Sequence, residues 1–230
     1  TYPATPQTGN PMRERIILVT GFEPYAGRSL NPAHEVMQQL AGRNIAGGQV
    51  SGHPLPVAIE ALPSRISTLM DEVKPDIVIS LGLYPGESVI RIERAALNVL
   101  DFPIADNAGD RPLDQPICPT GPAALMATLP IRAIEKTLLT AGIPAQVSNT
   151  AGTYLCNACL YGFLQAASRL QRPVPCGFLH LPYLPQQVAD LLMRSREKGT
   201  AELNSAPPAM SLDLQLKAVE VAIITAQDHT

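Results

Sequence analysis

The chain has 230 residues, of which 46% are hydrophobic, with a formal net charge of −3 and four cysteines. This size and apolar content predict one sizeable domain with a buried core, and the slightly negative charge gives no support to binding of nucleic acid or other polyanions. No apolar run approaches the ~20 residues of a membrane span, and four cysteines in a chain this long do not indicate a disulfide scaffold, which favours a reducing, cytoplasmic location.

Strand-like apolar runs alternate along the chain with runs of helical periodicity. Residues 1–12 are expected to form a flexible N-terminal arm, and residues 13–230 a single α/β/α domain. The alternation is typical of a three-layer α/β/α fold with an open, twisted, mostly parallel central sheet, as in phosphorylase-like and hydrolase-like proteins. Strands are predicted over residues 15–22, 49–55, 76–81, 145–148 and 176–181, and helices over 32–40, 58–73, 128–141, 154–170, 186–193 and 212–225.

Two stretches depart from this alternation. Residues 101–122 are rich in Asp, Asn, Gly and Pro and are too long for a simple connection. They are expected to form an active-site loop or an oligomer contact. Residues 194–209 form a second irregular stretch.

Cys156 lies where an apolar strand passes into a predicted helix, in the run SNTAGTYLCN over residues 148–157. A thiol on the first turn of a helix faces unpaired backbone N–H groups and the positive end of the helix dipole, and both favour thiolate over thiol. Cys156 is therefore predicted to be a nucleophile whose pKa lies below the ~8.5 of a free thiol.

A nucleophilic thiol needs a base, and the chain has four histidines. His34 lies in a helix-like run, His53 in a short strand broken by prolines, and His229 in a polar tail. His180 instead lies near the carboxyl end of the apolar run 176–181, at the sheet edge where open α/β folds bind ligands. With a cysteine following another strand, His180 is the predicted base, and a core histidine with satisfied ring nitrogens is the alternative.

The segment IRIERAALN, residues 90–98, places charged side chains inside an otherwise apolar strand. Burying Glu93 without a partner would be strongly unfavourable. One interpretation is a surface ion pair of Glu93 with Arg91 or Arg94. The other makes Glu93 the orienting carboxylate of a Cys-His-acid triad, accepting a hydrogen bond from one ring nitrogen of His180 so that the other faces Cys156. This segment alone does not separate the two.

Four separated motifs resemble those of the pyrrolidone-carboxylate peptidases, or pyroglutamyl peptidases I. They are ILVTGFEPYAG at 17–27 followed by NP at 31–32, IERAALN at 92–98, SNTAGTYLCN at 148–157, and FLHLPY at 178–183. MSLD at 210–213 also resembles the start of the family's last helix. The motifs occur in the family's order and span nearly the whole chain after residue 10.

The resemblance implies a cysteine exopeptidase that removes N-terminal pyroglutamyl residues from peptides. Cys156 would be the nucleophile, His180 the general base and acid, and Glu93 the orienting carboxylate. Backbone N–H groups at Cys156 and near Arg94 would stabilise the oxyanion. The family further implies an α/β/α open sheet, a cytosolic location, no metal or other cofactor, and a homotetramer.

The pyroglutamyl ring is small, flat and uncharged, so its pocket should be apolar with a few backbone hydrogen bonds. By the family match the ring lies among Phe22, Tyr25, Tyr154 and Leu155, with Leu83 beside them. Aromatic and leucine side chains at strand ends are also common in protein cores, which is the alternative for each of these residues.

Two positions depart from the pattern of many bacterial members. Gly82-Leu83 stands where they carry Gly-Gln, so a side-chain amide that would contact the ring is absent and backbone groups must replace it. Pro85-Gly86-Glu87 stands where they carry Gly-Gly-Arg, which reverses a charge near the site. Both departures bear on the substrate profile rather than on the predicted triad.

A zinc site is the alternative that cysteine spacing favours most. Cys156 and Cys159 with Cys176 and His180 imitate a zinc ligand pattern. However, Cys176 and His180 lie in one extended run, about 13 Å apart at ~3.3 Å per residue, which is too far to share an ion.

Three further alternatives remain. Cys156 and Cys159 would form a thioredoxin-like redox pair, which leaves His180 and Glu93 without a role. A phosphorylase-like enzyme shares the fold class but needs a phosphate site, for which the only candidate is the pair of arginines flanking Glu93. An inactive relative retained as a binding or assembly module is the non-enzymatic alternative.

Overall fold

The computed structural model describes residues 14–197 and 206–229. In these residues a seven-stranded sheet forms the centre of the molecule, and a two-stranded sheet lies apart from it. The strands of the large sheet are β1 (Arg15–Phe22), β2 (Asn44–Ile45), β3 (Gly48–Leu55), β4 (Ile77–Leu83), β5 (Ile90–Glu93), β8 (Ala145–Ser148) and β9 (Cys176–Leu181), and those of the small sheet are β6 (Ala95–Leu97) and β7 (Ala124–Met126). The helices are α1 (Pro32–Leu40), α2 (Leu62–Val73), α3 (Ile131–Thr140), α4 (Leu155–Ser168), α5 (Pro185–Glu197) and α6 (Leu212–Asp228).

The large sheet is mostly parallel and has the strand order β2-β3-β1-β4-β9-β5-β8. Strands β3, β1, β4 and β9 run parallel to one another, and β5 runs parallel to β8. The two antiparallel pairings are β2 with β3 and β5 with β9. Because β5 runs antiparallel to β9, the carboxyl end of β9 lies beside the amino end of β5.

Helices cover both faces of this sheet. Alternate residues of β1 point to opposite sides, so Ile17 and Val19 pack into one apolar cluster and Leu18 into another. The first cluster is covered by α1, α3 and α6, and the second by α2 and α4. The predicted three-layer α/β/α arrangement with a mostly parallel sheet is therefore confirmed.

Local sequence signals explain several element boundaries. The Asn31 side chain accepts a hydrogen bond from the Ala33 N–H at 3.1 Å and so caps α1, while Pro32 occupies the first helical position. Ser211 caps α6 in the same way through the Leu214 N–H. The predictions for residues 15–22, 32–40, 145–148 and 176–181 coincide with β1, α1, β8 and β9.

Other predictions need correction. The predicted strand through residues 90–98 divides at Arg94 into β5 and β6, which belong to different sheets. The short strands β2 and β7 were not predicted. Helix α5 continues to Glu197, so the first residues of the predicted irregular stretch 194–209 are helical. Residues 198–205 of that stretch and the predicted arm 1–12 lie outside the described residues.

None of the helices in the described part of the chain combines the length and the apolarity of a bilayer-spanning segment.

Candidate active site

A cavity of about 580 Å³ opens at the carboxyl ends of the parallel strands. Phe22 ends β1, Leu83 ends β4, and His180 is the penultimate residue of β9. Because these strands are neighbours, their ends meet at one edge of the sheet. Seven residues that the sequence singles out line this one cavity: Phe22, Tyr25, Leu83, Tyr154, Leu155, Cys156 and His180.

Cys156 is the second residue of α4 and is partly exposed. The turn that leads into this helix requires a left-handed backbone at Gly152, where φ is 80°. Tyr154, the N-cap residue, makes no side-chain cap, and the helical bonds begin with the Ala158 N–H donating to the Tyr154 carbonyl at 3.1 Å. The N–H groups of the first turn, including that of Cys156, therefore precede the hydrogen-bonded part of the helix.

The Cys156 sulfur packs against the backbone of β4 at Gly82. A methyl group on Gly82 would lie 2.8 Å from the sulfur and 2.7 Å from the Phe178 ring, so no larger residue fits there. Gly82 also pairs with His180 in the register of β4 and β9. The sequence analysis did not identify this role, although a glycine inside an apolar strand is a known sign of close approach by another group.

His180 and Glu93 form a buried hydrogen bond. The His180 Nδ1 atom lies 2.7 Å from Glu93 Oε1, and the two side chains are 2% and 0% exposed. The antiparallel pairing of β5 with β9 makes this possible, because it sets Arg91 opposite His180 and Glu93 two residues further along. A carboxylate accepts from Nδ1–H, which leaves Nε2 of the neutral ring with a free lone pair.

Two aromatic side chains hold the His180 ring in place. The Tyr84 ring meets it edge-on, with centroids 5.2 Å apart, and the Phe178 ring is tilted against it at 4.8 Å. Neither residue was singled out by the sequence analysis. Tyr84 directly follows β4 and Phe178 lies two residues before His180, and neither position forms a recognisable sequence pattern.

Arg91 links Glu93 to a charge network. Its Nε lies 3.4 Å from Glu93 Oε1, and its terminal nitrogens donate to Glu87 at 2.8 Å and to the Ser148 hydroxyl at 2.7 Å. The guanidinium also stacks 4.1 Å from the centre of the Tyr84 ring. Glu93 thus contacts Arg91, as one interpretation held, but it does so in a buried network and not at the surface. Glu87, the charge that departs from the bacterial pattern, is the counter-ion of Arg91.

The pKa of the Cys156 thiol differs from the prediction. Burial raises the pKa of Cys156 well above its ordinary value, and the neighbouring Cys159 thiol and Glu93 carboxylate act in the same direction. The prediction of a lowered pKa is wrong for this structure, because loss of solvation outweighs the favourable helix N-terminus. Burial thus favours the protonated thiol, which must lose its proton as it reacts.

Arg94 lies outside the wall of the cavity. Its backbone N–H donates to the Ser148 carbonyl at 2.8 Å, and its Nε donates to the Asn149 side chain at 2.9 Å. Both donors already have partners, so we do not retain Arg94 in the oxyanion site. Arg94 lies between the end of β5 and the start of β6, so its N–H still hydrogen-bonds to Ser148 at the end of β8, the strand that pairs with β5.

The cysteines offer no common ligand arrangement for zinc. Cys176 and His180 both belong to β9, and the Cys176 thiol donates to the Val174 carbonyl at 3.3 Å while His180 contacts Glu93. The described residues contain no group of three side chains placed to hold a metal ion. Cys156 and Cys159 are both free thiols, and Cys159 is completely buried.

The irregular stretch 101–122 contributes to the cavity. Pro103 and Ile104 form part of its wall, which favours the active-site loop over the oligomer contact. The stretch is fastened by backbone bonds between Leu100 and Gln115, with N···O distances of 2.6 and 3.0 Å. It therefore forms part of the wall of the cavity that Cys156 and His180 also line.

Comparison with known proteins agrees with this geometry. The model of the pyroglutamyl peptidase family matches residues 15–229. The chain is 41% identical over 213 residues to the pyrrolidone-carboxylate peptidase of Pyrococcus furiosus, a match that covers 93% of this chain and 98% of the relative. It is 40% identical over 210 residues to pyrrolidone-carboxylate peptidase 2 of Photorhabdus laumondii, covering 91% and 90% of the two chains.

The fold comparison leads to the same group. The structure of pyrrolidone carboxyl peptidase from Thermococcus litoralis has a TM-score of 0.86 and 39% sequence identity with this chain, and the match covers 94% of each. A mutant pyrrolidone carboxyl peptidase from Pyrococcus furiosus also gives a TM-score of 0.86, at 41% identity and with coverage of 93% and 99%. The chain belongs to the pyroglutamyl peptidase family of cysteine peptidases.

Proposed function

We propose that this chain removes N-terminal pyroglutamyl residues from peptides through a Cys156-His180-Glu93 triad and a thiol acyl-enzyme. The observation that carries the proposal is the buried hydrogen bond between His180 and Glu93 beside a cavity that Cys156 also lines. The relatives' name, pyrrolidone-carboxylate peptidase, supplies the substrate class.

The first half of the reaction forms the acyl-enzyme. His180 Nε2 takes the thiol proton as the Cys156 sulfur attacks the carbonyl carbon that links pyroglutamate to the next residue. The resulting oxyanion accepts hydrogen bonds from N–H groups of the first turn of α4, including that of Cys156. His180 then gives its proton to the leaving amine, the C–N bond breaks, and a thioester remains on Cys156.

The second half restores the enzyme. His180 accepts a proton from a water molecule, whose oxygen attacks the thioester carbonyl. Collapse of this intermediate breaks the C–S bond, releases pyroglutamate, and returns a proton to the Cys156 sulfur. Glu93 keeps the proton of the neutral ring on Nδ1 and stabilises the imidazolium when it forms.

The cavity wall suits an uncharged ring. Phe22, Tyr25, Leu83, Tyr154 and Leu155 supply apolar and aromatic surface. Burial raises the pKa of Tyr154 to about 12 and raises that of Tyr25 further, so both phenols stay neutral during catalysis. Leu83 offers no amide, so the lactam must find its hydrogen bonds among backbone groups.

Hydrolysis of a pyroglutamyl amide with a chromogenic leaving group tests the proposal. The wild type should release the chromophore, Cys156→Ala and His180→Ala should be inactive, and Cys159→Ser, the matched change in the neighbouring buried thiol, should keep most of its activity. Circular dichroism and thermal unfolding establish that each variant is folded. A folded Cys156→Ala protein that turns over at the wild-type rate contradicts the assignment.

The resemblance also supports a cytoplasmic homotetramer, which we include in the proposal. Sedimentation velocity at micromolar concentration should give the mass of four chains. A single species with the mass of one chain at that concentration excludes the tetramer without affecting the catalytic assignment.

A further inference from the structure

Cys156 and His180 line the same cavity. Among the Asp, Glu, Lys and Arg residues that the structure describes, Arg28 alone belongs to the wall of this cavity. It follows the carboxyl end of β1 by six residues, and the rest of the wall is apolar, aromatic or neutral. A guanidinium keeps its charge at every pH at which the enzyme operates. The cavity therefore carries a fixed positive charge that an uncharged lactam ring does not require.

The Arg28 guanidinium has few partners. One terminal nitrogen donates to the Tyr183 hydroxyl at 3.2 Å, and the buried Nε has no hydrogen-bond partner. Within residues 14–197 and 206–229, no carboxylate forms an ion pair with it. The guanidinium instead lies over the Tyr25 ring at 4.8 Å, with the Tyr183 ring at 5.9 Å. Aromatic faces thus hold this cation in position while leaving donors available.

Arg28 contacts one ring of an aromatic pair in the cavity wall. It stacks on Tyr25, whose ring centroid is 6.3 Å from that of Tyr154, and Tyr154 precedes Cys156 by two residues. A volume of about 580 Å³ lies in the range of drug-sized ligands, roughly 300–1,000 Å³. It exceeds what one five-membered ring needs, so the same cavity also has room for the residue that follows pyroglutamate.

The charges next to Arg28 do not neutralise it. A shallow neighbouring groove shares Arg28 and is lined by one acidic and one further basic residue, Asp190 and Arg194. Their charges are opposite, and Asp190 lies beyond ion-pair distance of Arg28. Arg194 donates to the Gly27 carbonyl at 3.5 Å and lies outside the catalytic cavity.

We propose that Arg28 binds a carboxylate on the leaving-group side of the substrate. The preferred substrates are then pyroglutamyl peptides with a negative charge close after the cleaved bond. That charge is either the C-terminal carboxylate of a pyroglutamyl dipeptide or the side chain of an acidic second residue. The guanidinium donates to the carboxylate oxygens in a charge-assisted pair. This inference rests on the proposed function and narrows its substrate class.

The test compares matched acidic and neutral substrates. For the wild type, kcat/KM is measured with pyroglutamyl-alanine and its C-terminal amide, and with the amides of pyroglutamyl-glutamate and pyroglutamyl-glutamine. At least one acidic member should exceed its neutral partner about tenfold, the size expected for a hydrogen bond to a charged group. The pair that shows the preference identifies the source of the carboxylate.

The variants then assign the preference to a residue. Arg28→Gln should reduce the acidic-to-neutral ratio to about one, Arg28→Lys should keep part of it, and Arg194→Gln should leave it unchanged. The ratio is the readout because any general loss from altered packing on Tyr25 affects both members of a pair. The wild-type preference should also weaken as the salt concentration rises from roughly 0.05 to roughly 0.5 M. Added salt shortens the Debye length, which is ~10 Å at 0.1 M, and so screens the attraction between the guanidinium and the carboxylate.

Each contrary outcome has one meaning. A wild-type ratio near one for both pairs, or a ratio that survives Arg28→Gln, overturns the inference while hydrolysis itself upholds the proposed function. Equal losses for acidic and neutral members in Arg28→Gln also overturn it, because the residue then only supports packing. A wild type that hydrolyses none of the four substrates contradicts the proposed function itself.

Discussion

Glu93 and His180 are both removed from solvent, and each depends on the other for a hydrogen bond. Glu93 Oε1 accepts from the imidazole at 2.7 Å and also faces the Arg91 Nε at 3.4 Å, whereas Glu93 Oε2 is buried without a hydrogen-bond partner. A buried carboxylate with one unsatisfied oxygen is unfavourable for stability. Such a group is typical of a site where orientation of a catalytic side chain outweighs stability.

Replacing Glu93 by glutamine tests that orienting role. The amide retains the shape of the carboxylate, but its NH₂ group donates to Nδ1 and so favours the ring tautomer whose Nε2 already carries a proton. We expect kcat to fall by roughly 100-fold or more, less than in His180→Ala, with little change in KM. Steady-state kinetics on a pyroglutamyl amide measures both constants.

The control for this change is Glu220→Gln, which removes a partly exposed carboxylate on helix α6 that pairs with Arg43. It should leave kcat and KM as they are. An unchanged kcat in Glu93→Gln would remove the carboxylate from the mechanism.

The raised pKa of Cys156 predicts how a neutral alkylating reagent reacts with it. Because only the thiolate reacts, the rate of inactivation should increase close to tenfold per pH unit between pH 7 and 9 and should not level off in that range. Cys118 is the internal comparison, since a hydrogen bond from Gln165 lowers the pKa of this thiol.

Mass spectrometry of the iodoacetamide-treated protein separates the two sites. Modification of Cys118 in Cys156→Ala should reach its plateau at lower pH than the inactivation of the wild type. A plateau of inactivation below pH 7.5 would instead indicate a preformed thiolate and imidazolium pair at Cys156 and His180.

Much of the candidate site is predictable from single residues, and much of its support is not. Cys156, His180 and Glu93 were identifiable because a thiol at a helix start, a histidine at a strand end and a carboxylate in an apolar strand are each unusual. Gly82 gave only the general signal of a glycine in an apolar strand, and Tyr84 gave none, because their roles exist only once β4 lies beside β9 and α4. The pKa of Cys156 was predicted in the wrong direction because the depth of its burial is set by the whole fold.

At the scale of elements, α4 is tied to the small sheet by one buried side chain. The Asn157 amide accepts from the Leu97 N–H at 2.8 Å and donates to the carbonyls of Leu97 and Val99 at 2.8 and 3.1 Å. Asn157 is completely buried and follows Cys156 directly. The same residue therefore fixes the start of the helix that carries Cys156 and the path of the chain after β5.

Asn157→Ala should destabilise the protein by about 2–4 kcal/mol, because it leaves buried backbone groups without partners. The free energy of unfolding in urea measures the change. Asn149→Ala is the matched control, since this asparagine is exposed and its side chain accepts a hydrogen bond from Arg94. A loss below about 0.5 kcal/mol in Asn157→Ala would show that these hydrogen bonds are dispensable.

Element boundaries were predictable where the signals are local. Helix α1 has its asparagine cap and proline within two residues, and β9 is a continuous apolar run. Helix α2 was predicted to begin at residue 58 but begins at Leu62, because the Ile59 N–H is bound by the distant Asp106 carboxylate at 2.8 Å. The antiparallel placement of β5, which brings Glu93 to His180, likewise depends on pairing between segments 87 residues apart.

At the scale of the whole molecule, buried thiols make stability depend on pH. Burial raises the pKa of both Cys159 and Cys176 to about 12. A group whose pKa is higher in the folded than in the unfolded protein contributes stability that is complete below the unfolded pKa of ~8.5 and declines as pH rises toward the folded value. Alkaline conditions should therefore weaken the fold through each of these thiols.

Between pH 8 and pH 10.5 each thiol should account for a loss of about 2 kcal/mol in the free energy of unfolding. Cys159→Ala removes one thiol, so its decline over this range should be smaller than that of the wild type by that amount. The comparison uses the change with pH, because the missing sulfur lowers stability at every pH through lost packing. Identical declines in the two proteins would show that Cys159 does not contribute.

The fold brings a thiol from the start of α4 and an imidazole from β9 to one cavity, and a buried carboxylate from β5 hydrogen-bonds to that imidazole. The most direct test of this account is to quench the wild type during turnover of a pyroglutamyl ester and map the modified peptide by mass spectrometry. The account predicts one added pyroglutamyl group on Cys156, which accumulates in the wild type and is absent from Cys156→Ala. A pyroglutamyl adduct on any other residue, or turnover that continues in folded Cys156→Ala, would contradict it.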